Sequence, residues 1–331
     1  MAVTGPTGEI GRAFIRALEK EDSVTRVVGM ARRPIDPTSL GWRKTEYIEG
    51  DITDRASVDV LVKDADVVVH LAFVIFTSDE RDRNVNIEGS RNVFEAAIEA
   101  GARRLIYTSS VAAYGFHEDN PAPLTEEVPA RGTTEHGYSD QKAQVEKLLE
   151  NLTSNRDINV YVFRPCIVAG PTALALIRNI PYVQVGEKIP KGVRKAMGAM
   201  PMLRPLIPDP GIPFQLVHED DVARAMAAAT VGKGAPGIYN LAGEGDITTS
   251  DIARALGWYS VPIPEIAVDA TVSIVSKVPL LPAKASWINA IRVPVLMDTT
   301  KARTELGWEP KFDVLETLAQ TVAAARARGL L

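Results

Sequence analysis

Up to about residue 170, short apolar runs alternate with stretches of helical period. The runs Ala2–Thr4, Val24–Met30, Glu46–Glu49, Asp66–Leu71, Arg104–Ser109 and Asn159–Phe163 read as strands. Between them, Glu9–Lys20, Arg55–Lys63, Asn86–Ala100 and Tyr138–Asn151 repeat apolar positions at helical spacing. Gly101 is placed to stop the third of these helices. Continuous β-branched runs such as DVVVHLA predict strands buried on both faces, as in a parallel sheet covered by helices. Strands and helices in turn predict a doubly wound α/β domain.

From Pro171 the texture changes. Prolines crowd the chain up to Pro213, and FQLVHEDDVARAMAAAT then reads as a strand and a helix. GIYNLAG reads as a further strand, and a last helix is expected from Val314 to about Arg328, ending at Gly329. The expected organisation is a dinucleotide-binding domain over 1–170, to which the chain returns at about 214–242. A smaller, mixed substrate lobe would then come from 171–213 and 243–331.

Composition narrows the function. With 331 residues, 46% of them hydrophobic, the chain can bury a large core. A net charge of −5 argues against nucleic acid as a partner, which needs a dense basic face. The one cysteine, Cys166, allows no internal disulfide; it sits in an apolar run and reads as a small buried side chain. Val272–Met297 is broken by Lys277, Lys284, Arg292 and prolines, so no membrane span is expected there. With no leader ahead of the first strand, a cytoplasmic location is expected. The partner is a small molecule, and base rates alone favour a homodimer. The four histidines show no metal-ligand spacing with Cys166 or the carboxylates, and His70, inside a strand, reads as a core residue.

Candidate chemistry begins at MAVTGPTGEIG, where Gly5, Gly8 and Gly11 stand between a strand and a helix. Glycine there permits a tight turn, close approach of a diphosphate, and tight packing of helix on strand. The helix start adds free N–H groups and partial positive charge. At the end of the second strand Arg32 and Arg33 stand where NAD-binding proteins carry an acid, so NADP is expected over NAD. Asp36 is the fallback ribose ligand. Tyr138 and Lys142, at i and i+4, share one helix face. A close ammonium would bring the phenol down from its usual value near 10 toward a working base. Ser109 and Ser110 end the fifth strand, at the sheet edge where ligands bind.

These residues, taken together, resemble the extended short-chain dehydrogenase/reductases, the NAD(P)-dependent epimerase/dehydratase group, nearly end to end. The resemblance implies a Rossmann-type sheet with a smaller C-terminal substrate lobe. It implies cofactor contacts at Gly5, Thr7, Gly8, Glu9, Ile10 and Gly11 of GPTGEIG, and at Asp51 and Ile52 of GDITD. Further contacts are implied at Leu71, Ala72 and Phe73 of HLAF, Asn86 of NVNIEGSRNVFEAA, Thr108 of TSSVAAYG and Pro165 of RPCIVAGP. Ser110, with Ser109 as the register alternative, Tyr138 and Lys142 match the catalytic positions, and the last two also bind cofactor. VHEDDVARA and ELGWEP match the family's later segments.

Two departures matter. The first strand is shorter than the family's, and Val111 and Ala112 stand where its sugar-nucleotide dehydratases carry an acidic pair. Neither can move a proton, so dehydration is not expected. The leading expectation is reversible hydride transfer between NADP(H) and a secondary alcohol or ketone. A nucleotide-sugar epimerase is the alternative, drawing on Lys188, Lys191, Arg194, Lys195 and Arg204 for the diphosphate. A non-catalytic dinucleotide sensor would be expected to lose the Tyr/Lys pair, which is present. Val185–Arg204 is expected to close over Tyr138.

Overall fold

The computed structural model describes residues 1–75, 80–187, 204–264 and 293–331, the side chains of 80–82 and 187 excepted. The first half runs β1 (Ala2–Thr4), α1 (Glu9–Leu18), β2 (Val27–Ala31), β3 (Thr45–Glu49), α2 (Arg55–Val62) and β4 (Val67–His70). It continues through α3 (Glu80–Glu99), β5 (Arg104–Thr108), α4 (Gly137–Thr153) and β6 (Asn159–Pro165). Then follow β7 (Ile167–Ala169), α5 (Ala175–Arg178), α6 (Pro181–Glu187), β8 (Leu206–Asp209), β9 (Leu216–His218) and α7 (Glu219–Thr230). The chain ends with β10 (Gly237–Leu241), α8 (Thr249–Leu256), β11 (Tyr259–Pro262), α9 (Thr300–Leu306) and α10 (Val314–Ala327).

Seven strands form one parallel sheet in the order β3-β2-β1-β4-β5-β6-β10. β1 is short because it needs no more length: Ala2 pairs Val28 on one side and Val68 on the other, and Thr4 faces His70. Its side chains alternate between two cores, as a period of two requires. Val3 joins Phe14, Ile15 and Leu18 of α1, Ile106, Phe163 and Met226 of α7 on one face. Ala2 joins Leu61 of α2, Phe94 of α3, Leu105, Val145 and Leu149 of α4 on the other. Strand order reverses between β1 and β4, and the crevice at the carboxyl ends there is where open α/β sheets bind ligands.

The returning segment divides. β10 joins the seven-stranded sheet beside β6, but β9 pairs with β7 in a separate two-stranded sheet. The reason is the seam it occupies: Val217 faces the first core, while Leu216 faces a third cluster with Leu174, Ile177, Ile247, Leu256, Val314, Leu318 and Val322. Element ends shift by a few residues from expectation. Val24 is buried, yet its N–H bonds Glu21 in a turn, so β2 begins only at Val27. α3 starts at Glu80, ahead of Asn86, and β6 runs on to Pro165.

Candidate active site at the sheet switch point

The glycine turn is built from backbone in close contact. Gly5 takes φ +70°, donates its N–H to Met30 O at 3.0 Å, and lies against the loop after β4. A Cβ on Gly5 would stand 2.8 Å from Ala72 N, and one on Gly11 would stand 2.2 Å from Gly5 O. Gly8 is different. A Cβ there would meet only Gly5 O, at 3.4 Å, so packing alone tolerates a side chain. Gly8 is the N-cap of α1 and no side chain caps the helix. The N–H groups of Glu9, Ile10 and Gly11, which have no partner inside the helix, therefore face the open turn. Uncapped donors, helix polarity and a missing Cβ together fit a dinucleotide diphosphate.

Several residues expected to meet a cofactor have side chains already engaged. The Glu9 carboxylate turns away and accepts Leu174 N–H at 2.9 Å; burial raises its pKa. Only its backbone N–H faces the turn. The carbonyl of Thr7 accepts from Arg12 Nε at 3.0 Å. Asp51 accepts from the Thr53 N–H and hydroxyl at 3.0 and 2.9 Å, while Ile52 is buried beneath Gly89. Asp36 accepts from the Thr38 hydroxyl at 2.7 Å and N–H at 3.0 Å, which lowers its pKa. Arg32 and Arg33, by contrast, are exposed and form no ion pair among the described residues. The Tyr47 phenol ties down their backbone, donating to the carbonyls of Ala31 and Arg33.

A buried hydrogen-bond chain sets the loop that carries Leu71, Ala72 and Phe73. Thr4 Oγ1 accepts from the N–H groups of Leu71 and Ala72 at 3.2 and 3.3 Å and lies 2.8 Å from His70 Nδ1. His70 Nε2 lies 2.9 Å from Ser90 Oγ, whose own proton goes to Asn86 O. The chain is consistent with a neutral ring protonated on Nε2, with Thr4 donating to Nδ1. Burial, with Lys142 nearby, drops the His70 pKa to about 3. Asn86 accepts Val74 N–H at 2.8 Å and donates to Val74 O at 3.0 Å and to Gln141 at 2.6 Å. Its amide clamps the loop to α4.

Tyr138 is the second residue of α4, whose N-cap His136 accepts Ser139 N–H at 3.3 Å. Ser110, just past β5, lies close enough to the Tyr138 phenol to lower its pKa, and accepts Ala112 N–H at 3.2 Å. Ser109 points the other way: its hydroxyl donates to Glu146. The two serines are thus distinguished by geometry, and Ser110 is the one beside the tyrosine. Lys142 is buried and donates to Thr108 O at 2.9 Å and the Tyr107 hydroxyl at 3.2 Å. Its ammonium sits 3.7 Å from the centroid of Phe73, whose ring meets Tyr138 edge-on, and 5.8 Å from that of Tyr138. Thr108 contributes its carbonyl, its hydroxyl lying 3.5 Å from Met226 Sδ; Pro165 ends β6.

The electrostatics differ from the simple expectation of an ammonium lowering the phenol. Burial raises the Tyr138 pKa, and the neighbouring Ser110 hydroxyl offsets this only in part. Burial also lowers Lys142 to about 7, against the opposing field of Glu146. The two groups that would share a proton economy therefore both resist charge in the protein alone.

The model of the NAD dependent epimerase/dehydratase family matches residues 1–242. The chain belongs to this family. Curated relatives include uncharacterized protein Rv0501 of Mycobacterium tuberculosis, 24% identical, the match covering 99% of this chain and 84% of that one. Among solved structures, gox2253 is 25% identical with a TM-score of 0.75, covering 99% and 98% of the two chains. UDP-glucose 4-epimerase of Thermotoga maritima, solved with UDP-glucose, is 23% identical with a TM-score of 0.72, covering 98% of each chain. The dTDP-glucose 4,6-dehydratase DesIV of Streptomyces venezuelae, solved with NAD, is 20% identical with a TM-score of 0.74, covering 98% and 96%.

Against that family's motifs, three residues of this epimerase/dehydratase-family chain escape the reading of its sequence: Tyr107, Glu146 and Arg164. Glu146 had a legible signal, standing one further turn beyond Lys142 in YSDQKAQVE. Cys166 is buried and burial pushes its thiol well up, leaving it inert. Among the described residues no three His, Cys, Asp or Glu side chains cluster as metal ligands, and no helix is long and apolar enough to cross a membrane. Lys188, Lys191, Arg194 and Lys195, and most of the Val185–Arg204 cover, lie outside the described residues.

Proposed function

We propose that this protein is an NAD(P)-dependent oxidoreductase acting on a secondary alcohol or ketone. The observation that carries this reading is the convergence of Ser110, Tyr138 and Lys142 at the carboxyl end of β5, on the same edge of the sheet as the uncapped glycine turn. The nicotinamide, when bound, supplies hydride transfer and, oxidised, a positive charge. Tyr138 passes the proton to or from the substrate oxygen, Ser110 orients that oxygen, and Lys142 holds the nicotinamide ribose. Phe73, packed on both Lys142 and Tyr138, keeps water from the pair. The third cluster, with α5, α8 and α10, forms the substrate lobe in this reading. Screening purified protein for NADPH or NADH oxidation with a panel of ketones tests it; no turnover with any ketone or alcohol would overturn it.

Cofactor preference follows from the end of β2. Arg32 and Arg33 are exposed there and form no ion pair among the described residues, whereas the Asp36 carboxylate is occupied by Thr38, which supports NADP over NAD. NADPH should bind more tightly than NADH, and the gap should shrink by about tenfold in Arg32→Ala/Arg33→Ala at low salt. Fluorescence titration reads both values; equal affinities in the unmodified protein would rule the assignment out. A nucleotide-sugar epimerase is the second reading, favoured by the likeness to the UDP-glucose-bound Thermotoga enzyme. It predicts inversion of a sugar carbon without net cofactor turnover.

A further inference from the structure

Lys142 is an ammonium out of water, and the structure shows what stands behind it. It is 3% exposed, and its hydrogen bonds go to neutral acceptors, Thr108 O and the Tyr107 hydroxyl. One helical turn on, Glu146 is 8% exposed and Arg164, from β6, is 2% exposed. The two form a fork: Arg164 Nη2 to Glu146 Oε2 at 2.5 Å and Nε to Oε1 at 3.0 Å. The remaining guanidinium nitrogen donates to Val128 O at 3.2 Å, and the guanidinium carbon lies 4.3 Å from the Tyr114 centroid. Oε1 of the same carboxylate also accepts the Ser109 hydroxyl. Ser109 sits between Thr108, whose carbonyl takes the Lys142 ammonium, and Ser110, which meets Tyr138.

We propose that Glu146, held in place by Arg164, is a positioning residue for Lys142: it pins the 108–110 strand end through Ser109 and supplies the counter-charge of the buried ammonium. A pair kept only for packing would have no reason to reach the one residue flanked by both partners of the candidate site. Buried ion pairs by themselves add little stability, so a role in holding charge at a site explains this one better. The inference rests on the proposed reading of Lys142 as the ribose anchor.

The other ionisable groups around the ammonium leave its own titration visible. His70 falls to about 3; burial raises Tyr107 and Tyr138 above the ordinary phenol value; Arg164 stays charged. Lys142, at about 7, is the group of this cluster that titrates near neutrality. NADH is the probe, because the extra phosphate of NADPH, like other phosphate monoesters, itself titrates near pH 6. In the unmodified full-length protein, NADH affinity should fall as pH rises through about 7, where the ammonium is lost. Removing the carboxylate lowers the Lys142 pKa further, so the midpoint should move down by about one pH unit in Glu146→Gln.

Glu146→Gln leaves Arg164 buried without a partner. Should it fail to fold, Glu146→Gln/Arg164→Met buries neither charge and should shift the midpoint in the same direction by a smaller amount, because the positive field of Arg164 goes with the carboxylate. Glu146→Asp keeps the charge and should keep the midpoint. An unchanged midpoint in the charge-free variants, with affinity uniformly lower at every pH, would mean a purely structural pair and overturn the proposal. Lys142→Ala separates the two ideas: it should bind NADH weakly and without this pH dependence. If instead it binds as the unmodified protein does, the ribose-anchor reading itself falls, and the inference with it.

Discussion

Tyr138→Phe should lower turnover by at least about 10²-fold while NADH and NADPH affinity stays within a few-fold of the unmodified protein. The substitution deletes one hydroxyl. It removes the proton shuttle but keeps the ring that packs against Phe73. The diphosphate donors, on the other side of the switch point, are untouched. The pH dependence of the unmodified protein carries a sign. Burial raises the phenol pKa, so alcohol oxidation, which needs the phenolate, should accelerate with rising pH. Ketone reduction, which needs the phenol, should hold its rate until the phenol ionises. Activity in Tyr138→Phe close to that of the unmodified protein would transfer the proton step to another group and remove the basis of the proposed mechanism.

Much of the fold is legible along the chain because its cause is local. β1 and β4 are continuous apolar runs because each faces a core on both sides, as Ala2 and Val3 show. The turn after β1 announces itself through glycine, and Tyr138 with Lys142 through helical spacing. What is not legible is which side chain is already engaged. Glu9 meets Leu174, Asn86 meets Gln141 and Ser109 meets Glu146 across separations of 165, 55 and 37 residues. No local pattern encodes such a partner. A carboxylate at the start of a helix and a serine at the end of a strand look alike whether they face a ligand or a distant part of the same chain. The path of β9 is hidden for a similar reason: its pairing is set by the third cluster, assembled from segments between Ala169 and Ala325.

Gly11→Ala and Gly8→Ala should fail in different ways, although both replace a glycine of one motif. At Gly11 the new Cβ would lie 2.2 Å from Gly5 O and 2.8 Å from Pro6 C and Cα, all of them backbone. Relief would require the turn to lift. Yet Gly5 is held by its N–H bond to Met30 O at 3.0 Å and by contact with Ala72, and α1 is anchored by buried Phe14, Ile15 and Leu18. Overpacking of this kind costs about 1–3 kcal/mol. In a chain this long that amounts to a few degrees in Tm. Displacing the helix start should also abolish measurable NADH binding. At Gly8 the Cβ would sit 3.4 Å from Gly5 O, an ordinary contact, with φ at −68° open to any residue. Gly8→Ala should therefore melt close to the unmodified protein, while its methyl group stands where the diphosphate approaches the free N–H groups and weakens NADH binding by about tenfold or more. Thermal unfolding paired with fluorescence titration separates the two. Unaltered affinity in Gly8→Ala would show that the diphosphate does not approach over that residue, and the cradle would then have to be sought in the loop from Leu71 to Phe73.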